Sequence, residues 1–516
     1  MLKILLLVVY FAVMVGIGLY CRKNATDVSG FVLGGRSVGP WLTAFAYGTS
    51  YFSAVIFVGY AGQFGWKYGI ASTWVGIGNA VIGSLLAWAV LGRRTRIMTQ
   101  HFNSATMPQF FGQRFQSKGL KIGASLIVFI FLIPYTASLF NGLSRLFGMA
   151  FHIDYTVCII LMGVLTGVYV IAGGYMATAI NDFIQGCVML FGIVIVIAAV
   201  LHSQGGFMDA LKGLAQVSDA EAANGQVPGI FASFFGPDPL NLLGVVILTS
   251  LGTWGLPQMV QKFYAIKSED SVQKGTIIST LFAVVVAGGC YFLGGFGRLF
   301  SDKVDIAASG YDSIIPTMLS GLPEILIALT VVLVLSASMS TLSSLVIASS
   351  STLTIDLLKD NVVRDMSERK TVFLIRCWIV VFVVLSMIIA VVQYKAQGSA
   401  VQFIAQLMGV SWGALAGAFL APFLYGLYWK GTTKAACWTC YVFGAGIMVL
   451  NLLARSHFPT LLQSPINCGA FAMLAGLVIV PVVSAFTRKP DQEMVEEAFA
   501  CYEKKAPVAQ RKALSD

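Results

Sequence analysis

The chain has 516 residues, 57% of them hydrophobic and only 11% charged, where a soluble globular domain carries about 25% charged residues. That composition excludes a soluble enzyme or binding module and leaves an all-α polytopic membrane protein. The formal net charge of +10 is spread over short loops, which argues against nucleic acid as a partner.

Hydropathy places about thirteen spans, at 2–21, 41–65, 70–92, 122–150, 154–173, 182–203, 239–262, 275–298, 322–357, 373–394, 400–427, 434–454 and 466–487. Span 1 lacks a basic leader and is followed directly by Arg22 and Lys23, so it reads as a retained anchor with the N-terminus outside. Span 2, TAFAYGTSYFSAVIFVGYAG, is interrupted in its middle by Gly48, Thr49 and Ser50. The arginine-rich 93–121 segment with MPQFFGQRF reads as an interfacial amphipathic helix. Asp182, at the start of span 6, reads either as a helix N-cap or as a carboxylate facing a cation. Loop 204–238 is expected to carry a short surface helix.

Span 7, VVILTSLGTWGLPQMVQ, concentrates Gly252, Gly255 and Pro257. Pro removes an amide donor and Gly weakens a helix, and in lipid such breaks persist only where protein or a cavity satisfies the freed backbone. The two interruptions open two five-span sets, 2–6 and 7–11, and paired broken helices point to a transporter site at the midplane. Ordinary kinks are the bland alternative. Span 9 has no charged residue between Ile325 and Ile355, yet it places Ser340, Thr341, Ser343 and Ser344 at i, i+1, i+3 and i+4. Such a hydroxyl cluster supplies neutral oxygens to a hard cation without burying further charge. The hydroxyls from Ser349 to Thr354 read as interhelical packing. Cys437 and Cys440 form a CxxC in an apolar span with no His or acid beside it, which favours packing over metal binding. The residues after Pro490 read as a solvated tail.

Lysine and arginine test the count. With the N-terminus outside, the internal segments hold most of the basic residues, including Arg93, Arg94, Arg96, Arg114, Lys262, Lys267 and Lys274, while the long external loop holds only Lys212. An odd number of spans, N-terminus out and C-terminus in, satisfies the positive-inside rule. The expected organisation is a membrane domain at 1–487, with core repeats at about 41–203 and 239–427, and a cytoplasmic tail at 488–516.

Four stretches together resemble the sodium:solute symporter family, which includes the sodium/proline and sodium/glucose symporters. They are GGYMATAINDFIQG (173–186), GTWGLPQMVQKFYAIKS (252–268), SASMSTLSSLVIASSSTLTIDLLK (336–359) and SWGALAGAFLAPFLYGLYWKGTTKAACWTCYVFGAG (411–446). The resemblance implies the five-plus-five inverted repeat of leucine-transporter type. It implies a principal Na+ site made of the carbonyls of Thr49, Phe52 and Ala337 and the hydroxyls of Ser340 and Thr341. A second Na+ of some members would use Asp182 with Ser343 and Ser344; Asn181 departs from the threonine often found in that motif. The solute is expected between spans 2, 4, 7 and 11, near Ser50, Ser53, Tyr135, Gln258 and Gln406, each of which has interhelical hydrogen bonding as its alternative. Tyr51 takes the place of an acidic residue of the proline symporters, and Arg145 reads as a side chain snorkelling to the interface.

The resulting expectation is a sodium-coupled symporter of the plasma membrane importing a small polar organic solute: an amino acid, a carboxylate or a sugar. Its partners would be that solute and membrane lipids, with no obligate protein partner. A membrane solute sensor and a proton-coupled symporter are the alternatives. The four histidines are scattered, and the sequence shows no nucleotide-binding loop.

Overall fold

The computed structural model describes residues 2–151, 154–218, 226–306, 310–359, 363, 366–395 and 404–503. Among these residues the regular structure is helical apart from one isolated bridge between Val38 and Ile266. Ten stretches are long and apolar enough to cross a bilayer. The helix Leu2–Cys21 precedes them, and two of the ten are double. Gly69 (φ 61°, ψ −143°) divides Val55–His101 into the second half of span 2 and span 3. Gly174 (φ 58°, ψ −152°) divides Tyr155–Ser203 into spans 5 and 6. The count returns to the expected thirteen. Only a residue without a Cβ adopts such backbone angles cheaply, so both reversals take a single glycine and no loop.

This division moves Asp182. It lies eight residues beyond Gly174, well inside a helix and fully buried, so it is not a helix cap. The loop after span 6 does carry its short helix, Phe207–Gln216.

The loops sort to two ends of the bundle. At one end Arg36 donates to the carbonyls of Tyr264 (3.1 Å) and Ser104 (2.6 Å), Arg96 to that of Ile266 (3.0 Å), and Arg93 pairs with Glu269 (2.6 Å). At the other end the Trp74 indole donates to the Phe234 carbonyl (2.9 Å) and Arg298 to the Trp66 carbonyl (2.6 Å). Along the bundle flank, side chains such as Ile277, Phe373, Val442 and Leu453 are exposed, an apolar belt suited to lipid. The chain is a multi-pass membrane protein.

The 93–121 segment is not one continuous helix: it continues span 3 as Arg93–His101 and then forms Met107–Arg114, whose Phe110 and Phe111 pack on Phe423 and Phe419. The tail is not wholly solvated. Its helix Gln492–Phe499 buries Met494, Val495, Ala498 and Phe499. The Arg114 guanidinium lies 4.8 Å from the Phe499 ring centroid, and Tyr502 donates to the Arg94 carbonyl (3.1 Å). Apolar spacing in the tail, at 494, 495, 498 and 499, is that of an amphipathic helix. Burial pushes the Arg114 guanidinium down to about 10, and it donates to the carbonyls of Gly426 (2.9 Å) and Trp429 (3.3 Å).

Candidate cation site and solute path

Span 2 starts as Pro40–Tyr51, with Pro at the first turn where its missing amide costs nothing. The helix stops at Phe52 (φ −92°, ψ 111°) and resumes in a π-helical turn at Val55–Tyr60. The break therefore falls at 52–54, four residues beyond Gly48. A helix end leaves its last carbonyls and the next helix's first amides without partners, and span 9 meets both sets. Thr341 Oγ1 lies 3.1 Å from the Thr49 carbonyl oxygen, 3.4 Å from that of Phe52 and 3.1 Å from that of Ala337. Ser340 Oγ lies 3.2 Å from the Thr49 oxygen and 3.0 Å from that of Ala337. On the other side of the break, the Ala54 amide donates to Ser338 Oγ (3.1 Å) and the Val55 amide to Ser53 Oγ (3.2 Å).

All five residues expected to hold the principal ion are therefore within hydrogen-bonding distance in one buried cluster. Its chemistry is lopsided. Two hydroxyl protons face three carbonyl oxygens, and the buried Thr49 Oγ1 makes no hydrogen bond. A hydroxyl donates one proton and accepts twice, so the cluster has more lone pairs than donors and suits a small hard cation.

Span 7 is broken in the corresponding place. Pro239–Leu251 gives way to a tight turn at Gly252–Trp254, and the helix restarts at Pro257–Ala265 after extended Leu256. A Cβ on Gly255 would stand 2.8 Å from Ala416 Cα of span 11, so this glycine is required by close packing. Span 3 supports both breaks through a π-helical stretch, Asn79–Leu86. Its Gly83 carbonyl accepts from Tyr47 (2.8 Å) and Thr253 (3.1 Å), and its Ile82 carbonyl from the Trp254 indole (2.9 Å).

The remaining expected residues separate. Tyr135 is fully buried and lies edge-on to Trp412 of span 11, ring centroids 6.0 Å apart, with Ser53 beside it. Both polar atoms of buried Gln258 make no hydrogen bond, whereas the Tyr135 hydroxyl interacts with the Trp412 indole and the Ser53 hydroxyl. Ser50 does not join them. It donates to the Ala46 carbonyl of its own helix and meets Ser344 Oγ at 2.9 Å, on the span 9 side. Gln406 opens instead on a cavity of about 1050 Å³ at the end away from the basic loops, with Gln63, Lys67, Asp238, Arg298 and Arg455 among its lining. The side chains of Tyr51 and Arg145 lie outside the described residues.

Asp182 and the rest of the hydroxyl cluster are arranged around Lys262, a residue at the end of span 7. Lys262 Nζ is buried 3.8 Å from Asp182 Oδ2 and donates to Ser344 Oγ at 2.9 Å. Ser344 and Ser343 in turn donate to the Ser340 carbonyl (3.1 and 2.9 Å). Three residues thus join the site beyond those expected: Ser338, Trp412 and Lys262. Lys262 was recognisable in QMVQKFYA as the fourth residue after Gln258, on the same helix face. Trp412 carried no signal beyond its apolar span.

Comparison with known proteins agrees with this architecture. The model of the sodium:solute symporter family matches residues 31–444. Sodium/proline symporters of Staphylococcus aureus are 29% identical over 498 residues, covering 94% of this chain and 93% of theirs. Among solved structures, a Na+-coupled sialic acid symporter in a substrate-bound outward-open state superposes with a TM-score of 0.76 at 17% identity, covering 95% of this chain and 99% of that one. A nucleobase-cation-symport-1 family transporter in a closed conformation superposes with a TM-score of 0.52 at 14% identity, covering 91% and 97%. These two likenesses concern the fold.

Proposed function

The chain belongs to the sodium:solute symporter family, and from that premise we propose that it is a secondary active transporter in which inward Na+ flow drives uptake of a small polar organic solute. The observation that carries this reading is the convergence of Ser340 and Thr341 hydroxyls with the carbonyls of Thr49, Phe52 and Ala337 at the break in span 2. Na+ in that cluster bridges the helix end at Tyr51 to span 9 and favours the conformation in which the two are docked. The solute reading rests on Tyr135, Trp412, Gln258 and Ser53. Buried polar atoms without partners, here those of Gln258, are costly, and a solute carrying donors and acceptors relieves that cost. The mixed-charge cavity with Gln406 in its wall is the outer vestibule in this reading, with the N-terminus outside and the C-terminus inside.

An amino acid is the first candidate solute, since the sodium/proline symporters match nearly the whole chain; carboxylates and sugars follow. Reconstitution in liposomes tests the reading. Labelled solutes, proline first, are offered under an inward Na+ gradient, a proton gradient or neither. Accumulation under the Na+ gradient alone is expected, and accumulation that ignores Na+ would overturn the proposal.

A further inference from the structure

We propose that the ammonium group of Lys262 is the resident cation of the second cation position, so that this chain moves one Na+ per solute. The proposal rests on the sodium-symport reading above. Three of the residues that would make a second Na+ site are present; Ser344 accepts a hydrogen bond from the lysine and Asp182 lies within ion-pair distance of it. Lys262 Nζ stands 3.8 Å from Asp182 Oδ2 with both side chains buried, 2.9 Å from Ser344 Oγ, and 5.0 Å from the Tyr175 ring centroid. The third residue, Ser343, is turned to the Ser340 carbonyl instead.

The electrostatics favour one occupant. A buried carboxylate needs a counter-charge, and the ammonium supplies it from within the chain. A Na+ added beside it would place two like charges within a few ångströms in a low-dielectric interior, with one carboxylate between them. Lysine is suited to the role because its compact charge on a flexible stem replaces an ion, with an ammonium proton directed at Ser344 Oγ. The pair also does what a second ion would do mechanically. Through Lys262 it links span 6 to span 7, and through Ser344 it reaches span 9 and Ser50 of span 2 (2.9 Å). Ser344 then donates to the carbonyl of Ser340 (3.1 Å), a residue of the principal cluster. The tie itself needs no Na+ in the second position.

The test is the coupling ratio, measured in proteoliposomes holding the full chain from parallel initial fluxes of labelled Na+ and labelled solute. The wild type is expected to carry one Na+ per solute with a Hill coefficient for Na+ near one. A ratio of two overturns the proposal, and this measurement needs no variant. Lys262→Gln removes the charge while keeping a polar side chain. It is expected to move both the ratio and the Hill coefficient toward two, and Lys262→Gln/Asp182→Asn is expected to return them to one. An active Lys262→Gln transporter whose ratio stays at one overturns the assignment of Lys262 as the occupant. Uptake indifferent to Na+ in the wild type would defeat the symport reading itself, which separates the two failures.

Discussion

Thr341→Ala probes the cation cluster with least disturbance elsewhere. The substitution removes one of five oxygens and leaves the helix intact, since alanine is the best helix former. Thr49 keeps a hydroxyl neighbour in Ser340 at 3.2 Å, whereas Phe52, whose carbonyl lies 3.4 Å from Thr341 Oγ1, loses its own. An interaction between a neutral oxygen and a charged group contributes about 1.5–3 kcal/mol, and each 1.4 kcal/mol is tenfold in affinity. The half-saturating Na+ concentration for uptake should therefore rise by roughly 10- to 150-fold, with the maximal rate recovered at high Na+. Thr341→Ser retains the oxygen and should stay near wild type. Ser351→Ala is the control, because that hydroxyl donates to the Ala348 carbonyl of its own helix (3.2 Å). The assay is initial uptake in proteoliposomes against Na+ concentration at fixed ionic strength. A Thr341→Ala curve superposing on the wild type, or shifted no more than that of Ser351→Ala, refutes the assignment.

Tyr135→Phe removes a buried hydroxyl that sits between Trp412 and Ser53. If it meets the solute, the solute KM rises roughly 2- to 13-fold, as expected for one hydrogen bond of about 0.5–1.5 kcal/mol, while Na+ binding measured without solute is unchanged. Asp182→Asn strands the Lys262 ammonium and should lower thermal stability by about 3–5 kcal/mol; Asp182→Asn/Lys262→Met should recover much of that loss in detergent melts. Additive losses in that cycle would show that the two side chains are not coupled. Gly65→Ala places a Cβ 1.8 Å from the Gly294 carbonyl oxygen, backbone against backbone, so overpacking of about 1–3 kcal/mol or more should reduce folded yield and melting temperature. Arg114→Met removes the donor to the Gly426 and Trp429 carbonyls and the partner of Phe499. Limited proteolysis should then cut before Gln492 faster than in wild type, and an unchanged rate would separate tail docking from Arg114.

Much of this was legible in the sequence because bilayer physics is coarse. Long apolar runs and loop charges set the number of spans and which loops share an end. Gly252, Gly255 and Pro257 marked the span 7 break where it occurs. The span 2 break was read four residues too early, because its position is fixed by Ser338, Ser340 and Thr341 across the interface and not by Gly48. Hydropathy ended span 5 at 173, just before the break at Gly174, but left a gap up to 182; the next helix starts directly after the glycine, so Asp182 lies inside it and not at its start. Ser50 was assigned to the solute by its nearness to the break; helix rotation turns it to Ser344 instead. Lys262 was lost to the positive-inside count, where a lysine near a span end looks like every other loop lysine. The hydroxyl half of the candidate ion cluster was readable because Ser340 and Thr341 are adjacent on one helix, whereas the Thr49, Phe52 and Ala337 carbonyls came only from the family resemblance, and the candidate solute residues come from four separate spans.

Whether the cluster between spans 2 and 9 binds Na+ is decided by equilibrium binding of radioactive sodium to the purified protein without solute. Saturable binding is expected that excess unlabelled Na+ displaces and K+ does not, and that Ser340→Ala/Thr341→Ala abolishes while the protein remains folded. Binding that survives the double substitution unchanged would contradict Na+ binding at this cluster.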